Sequence, residues 1–131
     1  MRLARFALLL VALPMASGAA VAVPMPSALH GPGLWEVGKS AKGAGSQRRC
    51  IADPAILSQW EHMSDQCTRV VVSVGTSSAN VHYTCTNGDF GTSQVRVLTP
   101  RSVRIHTQGI AKGFPFGYVL HARRIGDCPD R

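Results

Sequence analysis

Between Cys67 and Cys85 the chain reads CTRVVVSVGTSSANVHYTC, and this stretch limits the possible folds more than any other. Two runs of alternating apolar and polar residues flank a Gly-Thr-Ser-Ser-Ala-Asn segment, the pattern of a β-hairpin with a loop of several residues. Val70, Val72 and Val74 share one parity on the first run, and Val81 and Tyr83 can face them across the second. A register that buries these five together pairs positions whose numbers add to an odd value. A slip by one residue would turn the valines to water. Cys67 and Cys85 add to an even value, so this register sends them to opposite faces and predicts that each bonds elsewhere.

The chain has four cysteines, none spaced like a zinc-binding Cys-x-x-Cys pair. Met1 to Arg5 is a short basic start, Phe6 to Ala16 is an apolar run broken by Pro14, and Ser17 to Ala22 is a stretch of small residues. That order predicts a secretory signal peptide over residues 1–22, cleaved after Ala22 with Ala20 as the alternative site. Residues 23–131 then form a single exported β-domain with no transmembrane segment after cleavage. Export into an oxidising compartment turns the four cysteines into two disulfides. Loss of Arg2 and Arg5 lowers the formal charge from +7 to +5, with 12 basic against 7 acidic residues remaining. Such a balance suits acidic partners.

Along the exported part, Gly33 to Ala41 alternates as a first strand with Trp35 and Val37 on one face, and Gln47 to Ile51 forms a second. Asp53-Pro54 opens an expected α-helix running to about His62, with Asp53 as cap, Pro54 in the first turn and Ile56, Trp60 and Met63 as its apolar stripe. After the hairpin, Thr86-Asn-Gly-Asp89 is a turn, and Phe90 to Leu98 and Val103 to His106 alternate again. Gly109 to Gly113 reads as loose, and Tyr118 to Ile125 is a last strand apolar on both faces, as a central strand is. The fold class is therefore mainly β: an antiparallel β-meander, as a curved sheet or partly closed barrel, with one short α-helix and two disulfides.

If the second and third strands are neighbours, Cys50 and Cys67 lie at one end of the sheet. The preferred pairing is then Cys50–Cys67 with Cys85–Cys128. Cys50–Cys85 with Cys67–Cys128 remains open, because a bulge or a different strand order would defeat the geometric step.

Gly33-Leu-Trp-Glu36, Gln47-Arg-Arg-Cys50 ahead of the Asp-Pro helix, and Arg124-Ile-Gly-Asp-Cys128 occur in this order around Cys67 and Cys85. Together they make the exported chain resemble the bacterial family of domain of unknown function 3617. The resemblance implies a small periplasmic or secreted protein, and it carries no activity or catalytic residues to transfer.

Arg96 and Arg104 fall on the outward parity of their strands, with Arg69 as a third candidate, and make a possible anion-binding face. His82 and His106 share that parity and His121 lies on a third strand, but no His pair has metal-ligand spacing, so no metal site and no cofactor is expected. Nucleic acid is not favoured, because the basic strands lack the interleaved exposed aromatics that single strands require. The acids occupy only helix and turn positions, and Ser93 and Ser102 lack a nucleophile's setting, so no enzyme is expected. The expectation is a non-enzymatic binding module for an apolar or anionic envelope ligand. The alternative is a structural or interaction protein docking on an envelope partner through a basic sheet face. Mass spectrometry of protein exported from a bacterial host should find a chain lacking residues 1–22, and an intact chain would overturn the signal-peptide assignment.

Overall fold

Seven strands form where the sequence alternates: β1 (Gly33–Gly38), β2 (Gln47–Ile51), β3 (Cys67–Val74), β4 (Ser78–Cys85), β5 (Phe90–Thr99), β6 (Ser102–Ala111) and β7 (Phe114–Gly126). The computed structural model describes residues 25–130, so the expected signal peptide lies outside the described residues. The strands make one antiparallel sheet in the order β2-β1-β7-β6-β5-β4-β3. From β3 to β7 each strand pairs with the next, which is the expected meander. β1 then adds beside β7, and β2 lies outside β1, so β2 and β3 are the two edges and the ladder does not close into a barrel.

One face of this sheet is covered by the segment Pro54–His62 and by a lead-in turn, Ser27–Leu29. Its side chains form rows across the strands. Val37, Ala122 and Val103 make one row, and Leu120, Ile105, Val95 and Ala79 make the next. All are buried, together with Trp35, Leu29 and Leu57. Each large aliphatic residue enclosed in this way stabilises the fold by about 1.5–3 kcal/mol. β7 is paired on both sides, in line with its apolar centre. The stretch expected to be loose is ordered: β6 runs to Ala111, and Lys112 and Gly113, with φ of 52° and 80°, form a two-residue hairpin of the primed type.

The segment Pro54–His62 occupies the expected place, capped by the Asp53 carboxylate, which accepts a hydrogen bond from the Ala55 N–H at 3.0 Å. It is wound as 3-10 helix, kinked at Gln59, where the α-helical reading foresaw a regular stripe. The kink turns Gln59 inward. Its amide donates to the carbonyls of His62 and Asp65 and accepts from Arg69, which satisfies the helix end from within. Leu57, Ser58, Gln59 and His62 are buried as a result, and Ile56 and Trp60 only partly.

The hairpin register differs from the expectation. Cys67 stands opposite Cys85, Arg69 opposite Tyr83 and Val71 opposite Val81, and an irregularity between Val71 and Ser73 shifts the register nearer the tip. The core-facing residues of β3 are thus Val71, Arg69 and Cys67. Val70, Val72 and Val74 face outward, 55%, 50% and 41% exposed. Arg69, expected on the outer face, lies on the inner one and binds Gln59 and Asp53 of the covering segment.

The disulfides follow from this geometry and correct the preferred pairing. Cys67 bonds Cys85 directly across the hairpin, and Cys50 bonds Cys128. Cys50–Cys67 fails because β2 and β3 are opposite edges of the sheet rather than neighbours. Cys50 instead lies beside Leu34 of β1, and Leu34 pairs Gly126 of β7, so the C-terminal tail carries Cys128 to it. Peptide mapping of unreduced protein should recover these two bonds. Cys50→Ser should leave Cys128 as the free thiol and lower stability by about 4 kcal/mol, since its bond closes a loop of 78 residues.

Candidate functional site

Two places gather polar chemistry: the outer face of the sheet, and a buried layer under the end of the 3-10 helix. On the outer face the register sets side chains in rows. Arg96 stands directly opposite Arg104, which stands opposite His121. In the next row Asn80, Gln94, His106 and Val119 follow one another, and then His82, Thr92 and Gln108. Arg96 and Arg104, the two arginines singled out in the sequence, are therefore cross-strand neighbours. Neither forms an ion pair among the described residues, and the Nε of Arg104 is buried without a hydrogen-bond partner. Along the following rows an open depression of about 650 Å³ is lined by His82, Gln94, His106, Gln108 and Val119. A second, of about 450 Å³, lies beside Arg104, His121, Arg123 and Lys42.

The three histidines share this face without meeting. His82 and His106 sit on strands separated by β5 and in different rows, so about 10 Å or more lies between them.

The buried layer was not legible in the sequence. Tyr83 projects inward from β4 over Gly91 of β5, where a methyl group would collide with the phenol ring. Gly109 of β6, opposite Gly91, clears the adjoining space, since a Cβ there would strike the Phe90 carbonyl. Into this room fit the edges of His62, Tyr83 and Phe116, with ring centroids 5.5 and 5.6 Å from that of His62. His62 Nδ1 lies 3.0 Å from the Tyr83 hydroxyl, which also bonds Thr107. Thr107 in turn lies 2.9 Å from Ser93, whose hydroxyl donates to the Ser58 carbonyl at 2.6 Å. On the other side of the ring, His62 Nε2 faces Asp89 Oδ2 at 3.4 Å. Asp65, at the end of the covering segment, completes a group whose ligand-type atoms all lie within 4.8 Å of one another. These three are the residues here that could hold a metal. Nothing in their spacing announces it, because a helix-end His and two turn aspartates come together only through the sheet.

Burial raises the Tyr83 phenol to about 12, with the Glu61 and Asp89 charges adding to the effect. Tyr118 is raised too, first by burial and then because its hydroxyl donates to Glu61 at 2.9 Å. The folded state thus favours neutral phenols. That contribution is whole below about pH 10 and is lost as pH rises through about 12. Since Tyr83 and Tyr118 are the chain's two tyrosines, the folded protein at pH 10 should show little tyrosinate absorbance, with the signal rising together with alkaline unfolding. Half-complete ionisation at pH 10 in a folded chain would contradict this burial.

Among the described residues no helix is long and apolar enough to cross a membrane. Residues 30–128 match the model of a family described as protein of unknown function (DUF3617). No curated protein and no solved structure matches the chain.

Proposed function

We propose that this chain, which belongs to the DUF3617 family, is a non-enzymatic, extracytoplasmic module that holds an anionic envelope component on the outer face of its sheet. The carrying observation is the Arg96–Arg104 pair. Like charges directly opposite each other on a sheet destabilise it, and no acidic side chain among the described residues relieves this pair. A phosphate-type group placed over the two guanidinium groups turns that repulsion into charge-assisted hydrogen bonds. His121 at the end of the row, and Ser40, Lys42, Ser46 and Ser102 around the depression beside it, suit a ligand with further hydroxyl groups, such as a phosphorylated glycolipid. Two disulfides support a periplasmic or secreted setting.

An apolar ligand has less support, because the covered face is occupied by Trp35, Leu57, Ile105, Leu120 and their neighbours. Docking on a protein partner through the basic face has one observation of its own: the exposed Val70, Val72 and Val74 line the edge strand β3 beside it. Thermal-shift and co-sedimentation assays with lipopolysaccharide and with phosphatidylglycerol vesicles separate the readings. The protein should bind one of these in a salt-dependent manner and ignore phosphatidylcholine. The Arg96→Gln/Arg104→Gln variant should keep or raise its melting temperature and lose roughly tenfold or more in affinity. Failure of every anionic probe would refute the anion-binding role.

A further inference from the structure

We infer that His62, Asp65 and Asp89 form a binding site for a divalent transition-metal ion of the zinc class, independent of the outer face. The inference starts from the contacts of the buried layer. Ser93 has one hydroxyl proton, and the Ser58 carbonyl, which can only accept, takes it at 2.6 Å. Ser93 also lies 2.9 Å from the Thr107 hydroxyl. The Tyr83 hydroxyl, which Thr107 also bonds, lies 3.0 Å from His62 Nδ1, so this ring nitrogen is taken by the phenol. That leaves Nε2 as the ring nitrogen without a partner, and it faces a carboxylate.

His62 is 2% exposed, and its Nε2 has no hydrogen-bond partner. The 3.4 Å to Asp89 Oδ2 is too long for a charge-assisted hydrogen bond, which falls near 2.7–2.9 Å. It does match the edge of a tetrahedron whose centre lies about 2.0–2.1 Å from each ligand, the bond lengths of zinc to His nitrogen and carboxylate oxygen. A cation between Nε2 and the carboxylate would give the buried ring nitrogen the partner it lacks.

The surroundings are those of held ligands. Asp89 is fixed by the Lys112 N–H, which donates to both carboxylate oxygens at 3.1 Å, and by the Asn87 amide at 3.2 Å. Lys112 adopts a left-handed backbone at φ 52° in the turn that aims this N–H. Tyr83 on the far nitrogen of His62 orients the ring as an outer partner of a metal-bound His does. Asp65 is tied to the helix end, its N–H donating to the His62 carbonyl at 3.0 Å, and it takes part in no ion pair among the described residues. One imidazole and two carboxylates suit zinc, with a fourth position left on the exposed Asp65 side for water. The ion would clasp the end of the 3-10 helix to the turn between β4 and β5.

Zn(II) titrated calorimetrically into the protein obtained by exporting the full chain, oxidised and stripped with a chelator, should bind at one site per chain. Co(II) in its place should give the visible absorption of a four-coordinate ion. Asp65→Asn, on an exposed loop, should leave the metal-free melting temperature unchanged and weaken Zn(II) by roughly tenfold or more. His62→Gln should abolish binding, whereas His82→Gln/His106→Gln should leave it intact. Absence of saturable Zn(II) binding by the folded protein, unchanged affinity in Asp65→Asn, or loss in the His82/His106 variant would each overturn the site.

Discussion

β7 is the strand on which the molecule depends, because it alone joins the β1–β2 pair to the meander. Its partners lie far apart in sequence, with Glu36 pairing Arg123 and Gly38 pairing His121. Bringing such distant segments together has an entropic cost before any contact offsets it. The Cys50–Cys128 bond lowers that cost at the place where it is greatest, tying edge strand β2 to the tail that follows β7. The second bond performs a local task, holding β3 and β4 together at the other edge. Each edge of an open sheet is thus covalently fastened.

The covered face divides into two regions with different physics. Around Trp35, Val37, Val103, Ile105 and Leu120 it is an ordinary apolar core, stabilised by area removed from water. Toward Tyr83 it becomes polar, and its members depend on one another: Ser58, Ser93, Thr107, Tyr83 and His62 each satisfy a neighbour. Such a layer specifies one arrangement because any broken link leaves a buried polar group unpaired, at about 1–3 kcal/mol. Gly91 and Gly109 make it possible, since only a strand without side chains there admits the aromatic rings. The outer face carries the opposite design, with charged and polar rows open to solvent and few pairings among them.

Much of this was legible in the sequence. Alternation along Gly33 to Val37, Phe90 to Leu98 and Val103 to His106 names the strands, because a period of two has one structural meaning. Asp53-Pro54 marks the start of the covering segment through its cap. Arg96 and Arg104 declare their outward parity, and the tertiary structure makes them neighbours. The hairpin misled for an instructive reason. Three alternating valines look like a core face, but the residues that the covering segment needs on β3 are Val71 and Arg69, and hydrophobicity cannot signal a charged residue that turns inward to hold a helix.

The sequence by itself determined the class, most of the strands and the outward face of β5 and β6, because each rests on local periodicity and backbone preference. The tertiary structure decided strand order, disulfide partners and the meeting of His62 with Asp65 and Asp89. Those depend on which strands lie side by side, and strand adjacency is settled by the packing of the whole covered face rather than by any segment of it.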